Sequence, residues 1–186
     1  MSESRVRLMV DTNVWIDAYC ANHTGFDAAN ALIHVAEHNG VELFYTIHGL
    51  TDVLYVVEQE YRRQARGERG SVADHEARAI KEAALACMRN VMELGTAVGA
   101  DGSDLWLADK YLPVHGDFED NLVLAACRRA CADYLVTNDR TLISHADVVA
   151  KTPEDMVRLF EVGQVRKQGS GFAPGEVSWR YRREAR

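Results

Sequence analysis

Apolar residues along this chain come in two kinds of run: short unbroken ones, and longer ones where they recur every three or four positions. Val6–Val10 is the first short run; it ends in Asp11 and reads as a buried strand. Thr24–Asn39 carries Phe26, Ala29, Leu32, Ile33 and Ala36 at helical spacing, with Gly40 placed to stop the helix. Val41–Thr46 is a second strand. From Gly49 to about Arg66 the residues Leu50, Val53, Leu54 and Val57 share one helical face, which Gly67 and Gly70 interrupt. Ser71-Val-Ala-Asp74 resembles an N-terminal cap for a further helix that reaches Glu93 or Leu94 before Gly95. A strand at Thr96–Val98, a helix around Asp104–Tyr111, a helix from Asp117 to Cys131 and a strand at Asp133–Thr137 follow. A short strand at Val148–Val149 and a helix from Pro153 to about Val162 close the pattern. Strands separated by helices predict parallel βαβ units, and so a three-layer α/β/α domain around a central, mainly parallel sheet.

The pattern stops near residue 163. The expected organisation is one domain over 1–163 and an extension over 164–186, where Gly169, Gly171, Pro174 and Gly175 break any periodicity. Charge divides at the same place. The extension holds six Lys or Arg against Glu176 and Glu184, a net of +4, so the overall −7 leaves −11 on the first 163 residues. An acidic body argues against a broad surface that coats nucleic acid, and leaves room for a small acidic site that binds cations. No run approaches the roughly 20 apolar residues of a membrane span. Four scattered Cys (20, 87, 127 and 131) do not make a disulfide framework, so a cytoplasmic protein is expected.

Acids stand where open parallel sheets gather ligands, beyond the carboxyl ends of the strands. Asp11 follows the first strand and Asp139 follows Tyr134–Thr137. Either one alone reads equally as a turn residue or helix cap. Asp120 heads a stripe through Leu124, Cys127 and Cys131, which places an acid at the end of an apolar face, whereas Glu119 beside it points to a more solvated one. Asp52 lies in the opening turns of the helix after the second strand. Four such carboxylates in one crevice persist only if a cation neutralises them or some stay protonated. Oxygen-only ligation selects Mg²⁺ or Mn²⁺.

Three segments carry a family resemblance: Val10-Asp-Thr-Asn-Val-Trp-Ile-Asp17, Asp117-Phe-Glu-Asp-Asn-Leu-Val-Leu-Ala-Ala126 and Tyr134-Leu-Val-Thr-Asn-Asp139. Together they resemble the PIN-domain nucleases, and among these the VapC-like toxin ribonucleases of bacterial toxin–antitoxin pairs. The closing Lys151-Thr-Pro-Glu154 is similar to that family's ending. The resemblance spans residues 6–162 and implies a metal-dependent endoribonuclease. It implies Asp11, Asp52, Asp120 and Asp139 as the acids that hold Mg²⁺ or Mn²⁺, with Asn13 and Thr137 supporting them. The family's second acid is usually Glu, six residues after a Ser or Thr ending the second strand. Here Thr46 is followed at that distance by the shorter Asp52, which leaves open a catalytically degenerate PIN-like module that binds RNA or protein. The resemblance further implies an RNA substrate and a small antitoxin partner, with a homodimer left open.

Other features matter less to the reading. Arg62, Arg63, Arg66 and Arg69 form a basic stretch suited to phosphate, or to a solvated helix end. His34 and His38 have a zinc-compatible spacing without a third ligand. His48 precedes Asp52 by one turn and is a candidate proton carrier. Asp117 competes with Asp120 for the crevice. A phosphatase using Asp11 as nucleophile would want Asp at position 13, where Asn13 stands.

Overall fold

The computed structural model describes residues 5–67, 70–163 and 165. Five strands, β1 (Arg7–Val10), β2 (Glu42–Thr46), β3 (Gly95–Val98), β4 (Tyr134–Val136) and β5 (Ala150–Lys151), form one sheet in the order β3-β2-β1-β4-β5. Every pairing is parallel, with Leu8 opposite both Leu43 and Tyr134. β1 lies at the centre, so the chain reverses direction across the sheet at β1. Ligand crevices form beyond strand ends at such switch points.

Alternation along the central strands builds the two outer layers. Leu8, Val10, Leu43, Tyr45, Tyr134 and Val136 face one side. They are covered by α1 (Thr12–Tyr19), α2 (Phe26–His38), α3 (Ile47–Arg66), α4 (Asp74–Leu94) and α8 (Pro153–Glu161). Met9, Phe44 and Leu135 face the other side, against Val123, Leu124 and Cys127 of α6 (Phe118–Ala130) and Leu142 of α7 (Arg140–His145). The remaining helix, α5 (Gly102–Tyr111), packs on α6. This is the expected three-layer arrangement, with a sheet that is parallel throughout.

Two helices were not expected. α1 has eight residues and α7 six, each too short for its apolar positions to show a period. Val14, Trp15 and Ala18 of α1 are nonetheless buried on one face. The last strand falls two residues later than expected, at Ala150–Lys151. The stripe headed by Asp120 buries Leu124 and Cys127, but α6 ends at Ala130. Cys131 is exposed in the left-handed region at φ 49°, where it caps the helix.

One contact sets the distance between the first and second acids. Gly49, in the first turn of α3, lies against the start of α1. A Cβ there would overlap Thr12 Oγ1 and stand 2.8 Å from Thr46 Oγ1. Thr46 ends β2 and caps α3 by accepting from Gly49 N at 3.2 Å. Glycine thus allows α3 to start close to Asp11, one turn before Asp52.

Candidate active site

Asp11 leaves β1 and caps α1, and it is only 7% exposed. Its Oδ1 accepts from Thr12 N at 2.7 Å. Its Oδ2 accepts from Asn13 Nδ2 at 2.7 Å and from Thr137 Oγ1 at 2.6 Å. Thr137 is fully buried at the end of β4, and its Oγ1 also accepts from Asn13 Nδ2 and from Asp139 N. Asn13 Oδ1 in turn accepts from Asn138 N at 3.1 Å. The ends of β1 and β4 are therefore stitched together around one carboxylate. Burial pushes the pKa of Asp11 up to about 6; the Thr137 and Thr12 hydrogen bonds oppose the rise, while the charges of Asp120 and Asp139 add to it.

A crevice of about 300 Å³ opens in front of Asp11. It is lined by Asp11, Thr12, Asn13, Ile16, Asp52, Glu119, Asp120 and Val123. Asp120, in the first turn of α6, has its Oδ2 2.7 Å from His115 Nε2, and burial raises its pKa. Glu119 faces Asp52 across the opening; burial raises its pKa, with the facing Asp52 carboxylate adding to the shift. Asp139 is not among the lining residues. It caps α7 through Thr141 N and Leu142 N, and is close enough for its charge to raise both Asp11 and Asp120.

The structure thus gathers Asp11, Asp52 and Asp120 around one crevice, with Asp139 close behind and Asn13 and Thr137 bonded to Asp11. Glu119 joins them because α3 passes close to the first turn of α6, an approach that no local pattern reveals. Asp117 does not compete with Asp120: it caps α6 by accepting from Glu119 N at 2.9 Å and Asp120 N at 3.4 Å. His48 does not line the crevice. Its Nε2 is buried without a hydrogen-bond partner, and burial lowers its pKa against the opposing charge of Asp52. Asp17 instead links α1 to Asn138 Nδ2 at 2.8 Å and to His23 Nδ1 at 2.7 Å.

Two of the basic residues are already engaged, Arg62 with Glu58 at 2.7 Å and Arg63 with Glu60. Arg66 is exposed in the last turn of α3; Arg69 and the basic extension lie outside the described residues. Among the described residues no three His, Cys, Asp or Glu side chains stand close enough to grip an ion as they are, and no helix is long and apolar enough to cross a membrane. The donors in the crevice are carboxylate, hydroxyl and amide oxygens, with neither thiol nor imidazole on its wall. That chemistry fits a hard divalent cation, which would draw together carboxylates whose charges otherwise hold them apart.

Residues 7–141 match the family model of the PIN domain, and the chain belongs to that family. No curated protein matches the sequence. Solved structures share the fold, among them the following two. VapBC2 from Rickettsia felis, solved bound to a DNA fragment from its promoter, matches with a TM-score of 0.56 and 13% identity, over 79% of this chain and 98% of that one. VapC20 from Mycobacterium tuberculosis, a toxin that cleaves the sarcin-ricin loop, matches with a TM-score of 0.54 and 15% identity, over 76% of this chain and 97% of that one.

Proposed function

We propose that this chain is a metal-dependent endoribonuclease that hydrolyses RNA phosphodiester bonds, acting as the toxin of a toxin–antitoxin pair. The observation that carries this reading is the convergence of Asp11, Asp52, Glu119 and Asp120 on one crevice with no basic side chain on its wall. A like-charged pair at ~4 Å costs about 1 kcal/mol in water and about 4 kcal/mol at an effective dielectric near 20. An acidic cluster of this kind is a cost to the fold unless a cation uses it.

Asp11 and Asp120 would hold Mg²⁺ or Mn²⁺ directly. Asp52 and Asp139 orient the attacking water, and Asn13 and Thr137 fix the rotamer of Asp11. When bound, the ion supplies a lowered pKa for that water and polarisation of the scissile phosphate. Asp52 would receive the proton lost by the water, with Glu119 beside it to share the charge. The shorter Asp52 favours the alternative of a degenerate binding module, but Glu119 supplies a further carboxylate from the facing helix. An antitoxin partner is supported by the likeness to VapBC2, and an RNA substrate by the likeness to VapC20. The nuclease domain is residues 1–163, with 164–186 as a basic extension, and the site of action is the cytoplasm.

The test is cleavage of structured RNA by purified protein with Mg²⁺ or Mn²⁺, and its loss in chelator. Asp11→Asn and Asp120→Asn should each lower the cleavage rate by more than about 100-fold, beyond the usual effect of a supporting partner. Both should keep the circular dichroism of the parent. Cleavage at the parent rate in both variants would refute the assignment.

A further inference from the structure

Three of the candidate acids are each held in a different way. Asp11 is gripped by Thr137 and Asn13, Asp139 by the start of α7, and Asp120 by one side chain from outside its helix, His115. We infer that His115 is a positioning residue for Asp120, donating its Nε2–H to Oδ2 and so presenting Asp120 to the cation of the proposed site; this rests on the nuclease reading.

The geometry is specific. His115 sits in the connection between α5 and α6, five residues before Asp120, and is only 7% exposed. Its backbone is fixed at both ends: its N–H donates to Tyr111 O at 2.9 Å, and its C=O accepts from Asn121 Nδ2 at 2.8 Å. Asn121 is fully buried on α6, next to Asp120 in sequence. The ring stacks on His145 of α7, with centroids 5.6 Å apart and planes 29° from parallel. A ring clamped in this way cannot follow a wandering carboxylate, so the carboxylate must come to it.

The helix leaves Asp120 no other anchor of this kind. Asp117 already takes the N–H groups of Glu119 and Asp120 on its side chain and that of Asn121 on its C=O, so these first-turn amides are not available to the Asp120 side chain. Without His115 the side chain would be drawn away from Asp139 and Asp117, whose charges oppose it. With one oxygen held by His115, the second is free to meet a cation with little conformational entropy left to lose. This is the same logic by which partners of metal ligands set affinity, where losing the partner typically costs 10- to 100-fold.

The experiment is Mn²⁺ titration by calorimetry on the full chain, with thermal unfolding of the same samples. His115→Leu keeps apolar volume but removes the donor, and should weaken Mn²⁺ binding about 10-fold or more. His115→Gln places an amide N–H near Nε2 and should bind within about threefold of the parent, even if both variants melt earlier than it. A loop anchor with no role toward Asp120 predicts the opposite: equal loss of melting temperature with parental Mn²⁺ affinity in both. That result would overturn the inference and leave the nuclease reading standing. A parent protein that binds no Mn²⁺ would sink both.

Discussion

The two walls of the crevice are built differently. On the β1/β4 side, Asp11 is buried and meets three donors, from Thr12, Asn13 and Thr137. On the α3/α6 side, Asp52 and Glu119 are more exposed and face each other across the opening. The first wall is set by its hydrogen bonds to Asp11. The second is a pair of facing carboxylates whose charges a cation would neutralise. A site built this way combines a rigid reference point with an adaptable half, and so avoids freezing four repelling charges into place before the cation arrives.

Breaking the rigid wall should have the largest effect. Thr137→Val keeps the shape but removes the hydroxyl that donates to Asp11 and accepts from Asp139 N. Asp11, Asn13 and the half-buried Asp139 N–H each lose a partner, and a buried polar group left unsatisfied costs about 1–3 kcal/mol. Urea denaturation should show a lower midpoint, and Mn²⁺ affinity should fall 10- to 100-fold. A midpoint that drops while the affinity stays parental would show that the wall serves the fold alone.

The acids at strand ends were legible because sheet topology dictates where they go: Asp11 and Asp139 each follow a short apolar run, and parallel strands bring such ends together. The layers were legible for a similar reason, since Leu8, Leu43 and Tyr134 alternate with Met9, Phe44 and Leu135 whatever else the chain does. Glu119 reads as solvated and is exposed, but its place on the crevice was not legible, because the Asp52 it faces comes from α3, far earlier in the chain. His115 left a fainter trace: a lone histidine between Pro113 and the Asp117 cap, in a turn whose path over the first turn of α6 depends on the buried amide of Asn121. Helix α1 was hidden by its length and by Asp11, which is its cap and a candidate ligand at once.

The buried wall should also leave a mark on the pH dependence of stability. Asp11 titrates near 6 in the folded protein against 3.8 for the free group, because of burial. A raised carboxyl pKa means that the folded state binds the proton more tightly than the unfolded state. The associated stability is therefore complete below about pH 3.8 and is lost as pH rises through 6. The loss amounts to about 3 kcal/mol by pH 7 from this group. Thermal unfolding without divalent ions should show a melting temperature that falls between pH 4 and 7, with Asp11→Asn flattening the slope. Added Mn²⁺ should raise the melting temperature more at pH 7.5 than at pH 5, since protons and the cation compete for the same oxygens. An equal shift at both pH values would place the ion away from Asp11.

Glu119→Gln tests the adaptable wall and should give the smallest change. Removing one of two facing carboxylates relieves repulsion, so without metal the melting temperature should stay level or rise slightly. If the wall answers to the cation, the same variant should bind Mn²⁺ only a few-fold more weakly, since the side chain is solvated and its charge is screened. The informative quantity is its coupling to Asp52. Changes at Asp52 and Glu119 should not add, because either one dissolves the pair, whereas changes at Glu119 and Thr137, on opposite walls, should add to within a few tenths of a kcal/mol. Additivity between Asp52 and Glu119 would mean that the two carboxylates act separately. The wall would then be two independent ligands, and the contrast with Asp11 would be one of exposure only.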